Sequence, residues 1–273
     1  MSTPLVITAA ICGAELTREH TPYLPLSPEE LAAEATACAE AGARVVHLHV
    51  RDEAGRPSQD PAIFAKTLKL IRERCDVIVQ FSTGGAVTAT ADERLAPVRE
   101  LSPGPDFVTF SMGTMNFGNE VFYNPQPMLD TFAKAFTEAK LKPEFEIFDA
   151  GMLDTLKRMI KKGQVQTPVH CDLVLGVPGG MAGNLRNLMF LLESLPEGAT
   201  WTVSGVGAAQ LPLTVHALAL GGHVRVGLED NIYYRKGELS EGSAPLVARI
   251  ARIAKEMDRP LATVQQARGI LGL

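Results

Sequence analysis

The sequence predicts a single-domain (β/α)8 TIM barrel over residues 1–273, and three observations carry that expectation. Eight short β-rich runs recur along the chain, each followed by an amphipathic or Ala/Leu-rich stretch of helical length. The runs are apolar enough for burial on both faces, as parallel strands covered by helices must be. A length of 273 residues suits one large α/β barrel, and no linker or low-complexity segment divides it.

The first run, Leu5–Ile11, leads to Ser27-Pro28-Glu29-Glu30. That is a capping residue, a proline at the first helical position and acids in the first turn; the helix stops at Gly42. After the second run, Val45–Val50, Asp60-Pro61 repeats the device before IFAKTLKLIRER. The third run is Val77–Thr83, and Asp92 is expected to cap a short helix after it. Phe107–Met112 is the fourth run; Pro143 then forbids helix continuation and opens the fifth, Glu144–Asp149. Val169–Gly176 precedes a helix capped by Asn184 through LRNLMFLLESL. Thr200–Gly207 and His223–Asp230 are the seventh and eighth runs, with Ala244–Met257 and Ala262–Ile270 as the eighth helix and a terminal one.

A net charge of −5 with no Lys/Arg run argues against nucleic acid or an anionic membrane as partner. A small anionic substrate would therefore need a metal or a placed arginine. The N-terminal apolar stretch has no basic residues ahead of it, and no segment reaches about 18 uninterrupted apolar residues, so a cytoplasmic protein without a signal peptide is expected. Cys12, Cys38, Cys75 and Cys171 are scattered and read as reduced thiols; Cys12, Cys171 and Trp201 are assigned to packing.

Barrel enzymes work at the C-terminal ends of their strands, and here those ends are polar. His47 and His49 lie two apart on the second run, so both imidazoles face one side, about 6.6 Å apart at the backbone, and can converge on one metal. A catalytic metal needs a third ligand and an open position. Glu229 is the candidate, with Asp230 the alternative because strand neighbours point opposite ways. Ser82-Thr83-Gly84-Gly85 closes the third run with hydroxyls and glycines whose N–H groups can approach an anion. Ser204, Gly205 and Gly207 follow the seventh strand, where barrels often bind phosphate, and are candidates for a coenzyme contact. Val177-Pro178-Gly179-Gly180 is either a substrate loop or a turn. Arg225, five residues before Asp230, reads equally as a buried ion pair or as an arginine aimed at an anionic substrate.

The blocks TAAICGAE, TPYLPLSPEELA, GARVVHLHVRDEAGRPSQDP, STGG, MGTMNFG, KPEFEIFDAGML and GGHVRVGLEDNIY, in this order over nearly the whole chain, resemble the β-keto acid cleavage enzyme family. The resemblance implies a zinc-bearing TIM barrel that assembles as a homo-oligomer, with a tetramer the form the resemblance favours. It implies reaction of a β-keto acid with acetyl-CoA, giving acetoacetate and a new acyl-CoA, as in cleavage of 3-keto-5-aminohexanoate during lysine breakdown. By resemblance His47, His49 and Glu229 are zinc ligands, and Arg225 with Asp230 is a proton-abstracting dyad. Ser82 and Thr109 lie beside the substrate, and Glu15 and Glu146 match acidic positions near its side chain. Two carboxylates would suit an amine-bearing tail; Glu146 alternatively holds a zinc ligand or Arg225.

Two other classes compete. A barrel hydrolase of the amidohydrolase kind also uses His-x-His on a strand, with His170 and Asp230 able to join, and would carry two metals. A non-catalytic barrel binding a keto-acid metabolite would close its zinc with four protein ligands, and no fourth is evident.

Overall fold

The computed structural model describes residues 3–273. Its elements run β1 (Ile7–Ala10), α1 (Pro28–Ala41), β2 (Val45–Leu48), β3 (Val50–Arg51), β4 (Pro57–Ser58), α2 (Pro61–Arg74), β5 (Ile78–Phe81), α3 (Ala91–Glu100) and β6 (Phe107–Ser111). They continue β7 (Met115–Phe117), β8 (Glu120–Phe122), α4 (Gln126–Glu138), β9 (Pro143–Ile147), α5 (Ala150–Lys161), β10 (His170–Leu175), α6 (Leu185–Glu193) and β11 (Thr200–Gly205). Last come α7 (Gln210–Leu220), β12 (His223–Val226), β13 (Tyr233–Arg235), β14 (Glu238–Leu239), α8 (Ala244–Glu256) and α9 (Val264–Leu271).

Eight strands close a parallel barrel in the order β1-β12-β11-β10-β9-β6-β5-β2, so each expected run supplies one stave. Closure comes from β1, which pairs with β12 on one side (Thr8 opposite Arg225) and β2 on the other (Ala10 opposite His47). The remaining six strands form hairpins above the barrel, β3–β4, β7–β8 and β13–β14. No helix among the described residues is long and apolar enough to cross a membrane.

Local chemistry explains the helix starts. Ser27 accepts from Glu30 N–H while the Glu30 carboxylate takes Ser27 N–H, and Pro28 needs no donor partner there. Asp60 and Asn184 cap α2 and α6 as expected. The cap of α3 is Thr90, not Asp92: Thr90 forms a reciprocal pair with Glu93, and Asp92 falls inside the first turn. Thr90 wins because Glu93 stands three residues on, where its carboxylate reaches back to the cap N–H.

The bottom of the barrel is closed by its own small apolar cluster. Val6, Val45, Ile78 and Phe107, at the N-terminal ends of four staves, pack against Ala262, Ala267 and Leu271 of the C-terminal segment. Two backbone hydrogen bonds at Leu5 dock this plug, Leu5 N–H to Pro260 O and Ala262 N–H to Leu5 O, both 2.8 Å. Sealing that end leaves the C-terminal mouth as the way in.

Candidate active site and metal centre

The eighth run ends earlier than its sequence suggests. β12 stops at Val226 because Gly227 takes φ +153, with its α-carbon so near Ala10 that a Cβ would lie 2.1 Å from the Ala10 carbonyl. No side chain fits there. The chain turns, and Glu229 and Asp230 are not strand neighbours facing opposite ways; both reach the same guanidinium. Arg225 Nε donates to Asp230 Oδ2 and Arg225 Nη2 to Asp230 Oδ1, both 2.9 Å, while Nη2 also lies 2.5 Å from Glu229 Oε1. The turn thus brings both acids to one guanidinium.

His47 Nε2 is 3.4 Å and His49 Nε2 3.6 Å from Glu229 Oε1. Each of the three offers a donor atom, and all lie within 4.8 Å of one another, the one such cluster among the described residues. Glu229 Oε2 is buried without a hydrogen-bond partner. A buried carboxylate oxygen without a partner is costly, and its place beside two imidazole nitrogens fits a metal cation.

The ring of His47 is held in the tautomer a metal needs. Gln80 Nε2 donates to Glu144 Oε1 at 2.8 Å, which turns the amide oxygen toward His47 Nδ1, 2.7 Å away. An acceptor there requires Nδ1–H, leaving the Nε2 lone pair aimed at Glu229. Glu144 is itself 3.2 Å from His170 Nε2, and His170 Nδ1 meets Thr200 Oγ at 2.7 Å. His170 therefore belongs to this buried layer and does not join the metal cluster.

Electrostatics sort the acids. Burial alone would push Glu229 up, but Arg225, His47 and His49 outweigh it and hold the carboxyl well below the usual range. Asp230 is pushed upward by burial, against the pull of Arg225 and with Glu229 adding to the push. For Arg225, burial is outweighed by Asp230, Glu229 and Asp172, so the guanidinium stays charged. Asp172 is pushed well above its ordinary value by burial and by Glu144. Both its oxygens lie 2.7–2.8 Å from the Ser204 hydroxyl, which can donate only one hydrogen, and this fits a carboxyl that keeps its proton.

The other expected site residues divide. Ser82, Gly84, Gly85, Glu15 and Glu146 line one cleft with His49, Arg225, Glu229 and Asp230. Thr83 and Thr109 are buried and face each other instead: Thr83 N–H donates to Thr109 Oγ (3.1 Å) and Thr83 Oγ–H to Thr109 O (2.7 Å), fastening the loop. Glu146 is engaged, accepting from Ser111 Oγ–H at 2.6 Å and lying 3.6 Å from Arg225 Nη1, so it braces the arginine. Glu15 stands at the rim, its carboxyl raised by partial burial and by Glu120. Ser204 is fully buried, Gly205 packs on Ala209 and Gln210, and Gly207 N–H donates to Asp230 O at 2.7 Å. On β11 the Ser204 hydroxyl points into the barrel toward Asp172, and the Gly207 N–H is already engaged.

Sequence reasoning missed the apolar wall. Phe117 and Phe122 of the β7–β8 hairpin and Phe148 flank the cleft, while Pro178 of the Val177–Gly180 segment lines it too. Two buried arginines also escaped it. Arg94 donates to Thr83 O and to Asn124 Oδ1 between the Phe122 and Phe132 rings, tying the Ser82–Gly85 loop to that hairpin. Arg51 donates to Gly13 O and Leu16 O and holds the Glu15 loop. Arg51 stands two residues after His49, whereas Arg94, nine residues after Gly85, carries no local sequence signal.

Comparison with known proteins extends this geometry. Residues 4–273 match the model of the family described as beta-keto acid cleavage enzyme. The chain is 50% identical over 275 residues to the 3-keto-5-aminohexanoate cleavage enzyme of Fusobacterium nucleatum, covering 100% of this chain and 99% of that one. It is 36% identical over 277 residues to the 3-oxoadipate:acetyl-CoA acetyltransferase of Cupriavidus necator, covering 100% and 96%. Among solved structures, ObcA in ternary complex with a C4-CoA adduct and oxalate superposes with TM-score 0.80 over 92% of this chain and 68% of that chain; at 20% identity it supports the barrel fold alone. With a match that spans all but the first three residues, this chain is an enzyme and belongs to the beta-keto acid cleavage enzyme family.

Proposed function

We propose that this enzyme joins an amine-bearing β-keto acid, of the 3-keto-5-aminohexanoate type, to acetyl-CoA and releases acetoacetate and a new acyl-CoA. In the net exchange the C2–C3 bond of the keto acid breaks, a bond forms between C2 and the acetyl carbon, and the thiol moves to the former keto carbon. The relatives named for this chemistry and the His47, His49, Glu229 cluster beside an Arg225–Asp230 pair support the reading. The carrying observation is that pair, because the reaction must begin by removing a C2 proton.

Zinc suits two imidazoles and a carboxylate with a position left open, and when bound it supplies Lewis acidity to the keto and carboxylate oxygens of the substrate. Asp230 takes the C2 proton: burial raises its proton affinity, and Arg225, which stays charged, is no base. Arg225 holds the Asp230 carboxylate in a two-point grip and places positive charge beside the substrate anion. Ser82, with the Gly84 and Gly85 backbone, borders the same space. Phe117, Phe122 and Phe148 exclude water from the reacting carbons. With Glu146 committed to Ser111 and Arg225, Glu15 at the rim is the carboxylate left to meet an ammonium tail.

A panel of β-keto acids with acetyl-CoA, scored for acetoacetate with and without chelator, tests this. Turnover is expected to favour the amino-bearing acid, to stop on chelation and to return with zinc. Acetoacetate release indifferent to exhaustive chelation removes the metal, and no thioester-dependent release with any acid removes the function. A two-metal hydrolase finds no support, since the described residues hold one ligand cluster and His170 is tied into the layer below.

A further inference from the structure

A second concavity lies against the active cleft. Val206 and Asp230 line the cleft, while their chain neighbours Gly207 and Asn231 line a groove between α7, α8 and the β13–β14 hairpin. The wall between the two is these two short segments, joined by the Gly207 N–H···Asp230 O bond of 2.7 Å.

The groove's charge is unlike that of the chain. The protein carries net −5, yet the lining includes Arg235, Lys236 and Arg249 and no Asp or Glu. A fourth cation, Arg252, donates from Nη2 to Tyr234 Oη at 3.3 Å. The Arg249 and Arg235 guanidinium carbons lie 4.7 and 5.2 Å from the centre of the same Tyr234 ring. Arg235 pairs with Glu238 at 3.1 Å, but Lys236, Arg249 and Arg252 have no carboxylate partner among the described residues. Three arginines around one ring, with Lys236 in the same groove lining, repel each other unless an anion joins them. Tyr233, 47% exposed, offers a further aromatic face.

We propose that this groove seats the phosphorylated adenosine end of the acyl-thioester co-substrate; this rests on the acetyl-CoA reading above. The diphosphate and ribose phosphate supply the anions the cations lack, and an aromatic face accepts the purine. The loops following the last two barrel strands are also where barrel enzymes most often hold phosphate. The flexible pantetheine arm would cross the wall at Gly207 and Asn231 and deliver its thioester to the cleft. The residues that take the phosphate are thus on the hairpin and α8, one loop beyond Ser204 and Gly205.

The test compares acetyl-CoA with acetyl-pantetheine, which has the same thioester and no nucleotide, in the wild type and in Arg235→Glu/Lys236→Glu, where both side chains are exposed. The wild type should favour acetyl-CoA, and in the double variant its KM for acetyl-CoA should rise about tenfold or more, so that the preference largely collapses. Raising ionic strength should erode the wild-type preference more than the variant's. A folded variant with the wild-type preference overturns the proposal, as does one whose only change is a different oligomeric mass, which would mark the groove as a subunit contact. If the wild type uses neither thioester, the functional reading fails instead, and direct titration with adenosine 3′,5′-bisphosphate decides the groove: binding lost in the variant supports it, and no binding to the wild type overturns it.

Discussion

The two ends of this barrel are made from the same staves and have opposite characters. At the bottom, Val6, Val45, Ile78 and Phe107 meet Ala262, Ala267 and Leu271 in an apolar plug. Two residues further along three of these staves, on the same face, stand His47, Gln80 and Thr109, and β12 adds Arg225. The plug is stabilising and chemically inert. The mouth gathers Glu146, Asp172, Glu229 and Asp230 within 4 Å of one guanidinium and leaves one buried Glu229 oxygen without a hydrogen-bond partner. The difference teaches that stability and activity should be separable by height along a strand.

The sharpest way to break that separation is at Asp230. Asp230→Asn should lower kcat about 10³-fold and slow solvent exchange of the substrate C2 proton, with thermal stability unharmed. Normal exchange in the variant would remove Asp230 as the base. At the other end, Leu271→Ala should destabilise the fold by about 2–4 kcal/mol, read from denaturant midpoints, with kcat at 25 °C within about twofold. A selective loss of kcat there would join the two ends that the comparison separates.

Between them lies the Gln80–Glu144 layer. Glu144→Gln frees the Gln80 amide to turn its NH2 toward His47, favouring the wrong tautomer. Metal affinity should fall about 10- to 100-fold by chelator competition, and nitrogen NMR of the imidazoles should show the tautomer change. Unchanged affinity would reduce that layer to packing.

The smallest effect concerns acid. His223 Nδ1 accepts from Val6 N–H at 3.2 Å, so its folded form is neutral, and burial with the charges of His170 and Arg259 lowers its pKa to about 3. Below the ordinary value of 6.5 the unfolded chain binds the extra proton, so stability is full above 6.5 and declines as pH falls toward 3. The loss should reach about 2 kcal/mol by pH 5. In His223→Gln the melting temperature should vary less between pH 7 and 5; an identical slope would place the acid sensitivity elsewhere.

Much of the fold was legible because parallel staves buried on both faces leave continuous apolar runs, and eight runs became eight staves in order. The histidine pair of the candidate metal cluster was legible because two histidines at strand spacing share a face. What could not be read was partnership across the barrel. Nothing local in Glu146 announces Ser111 and Arg225, and nothing in Ser204 announces Asp172. Thr109 carries a polar side chain near the mouth, yet its hydroxyl serves the Thr83 amide. The end of the eighth stave was hidden for a similar reason, since Gly227 stops it only because the Ala10 carbonyl, from the other end of the chain, occupies the space of a side chain.

That seam has a consequence for assembly of the protein. β1 joins β2 to β12, so the two imidazoles come from the second stave and their carboxylate from the turn after the eighth. An incomplete cylinder has no place for the ion, however well its early staves are formed. Any cation the finished enzyme grips would then act as a clasp between first-made and last-made parts, favouring the closed form by mass action. Metal uptake during refolding would time the moment the ring shuts.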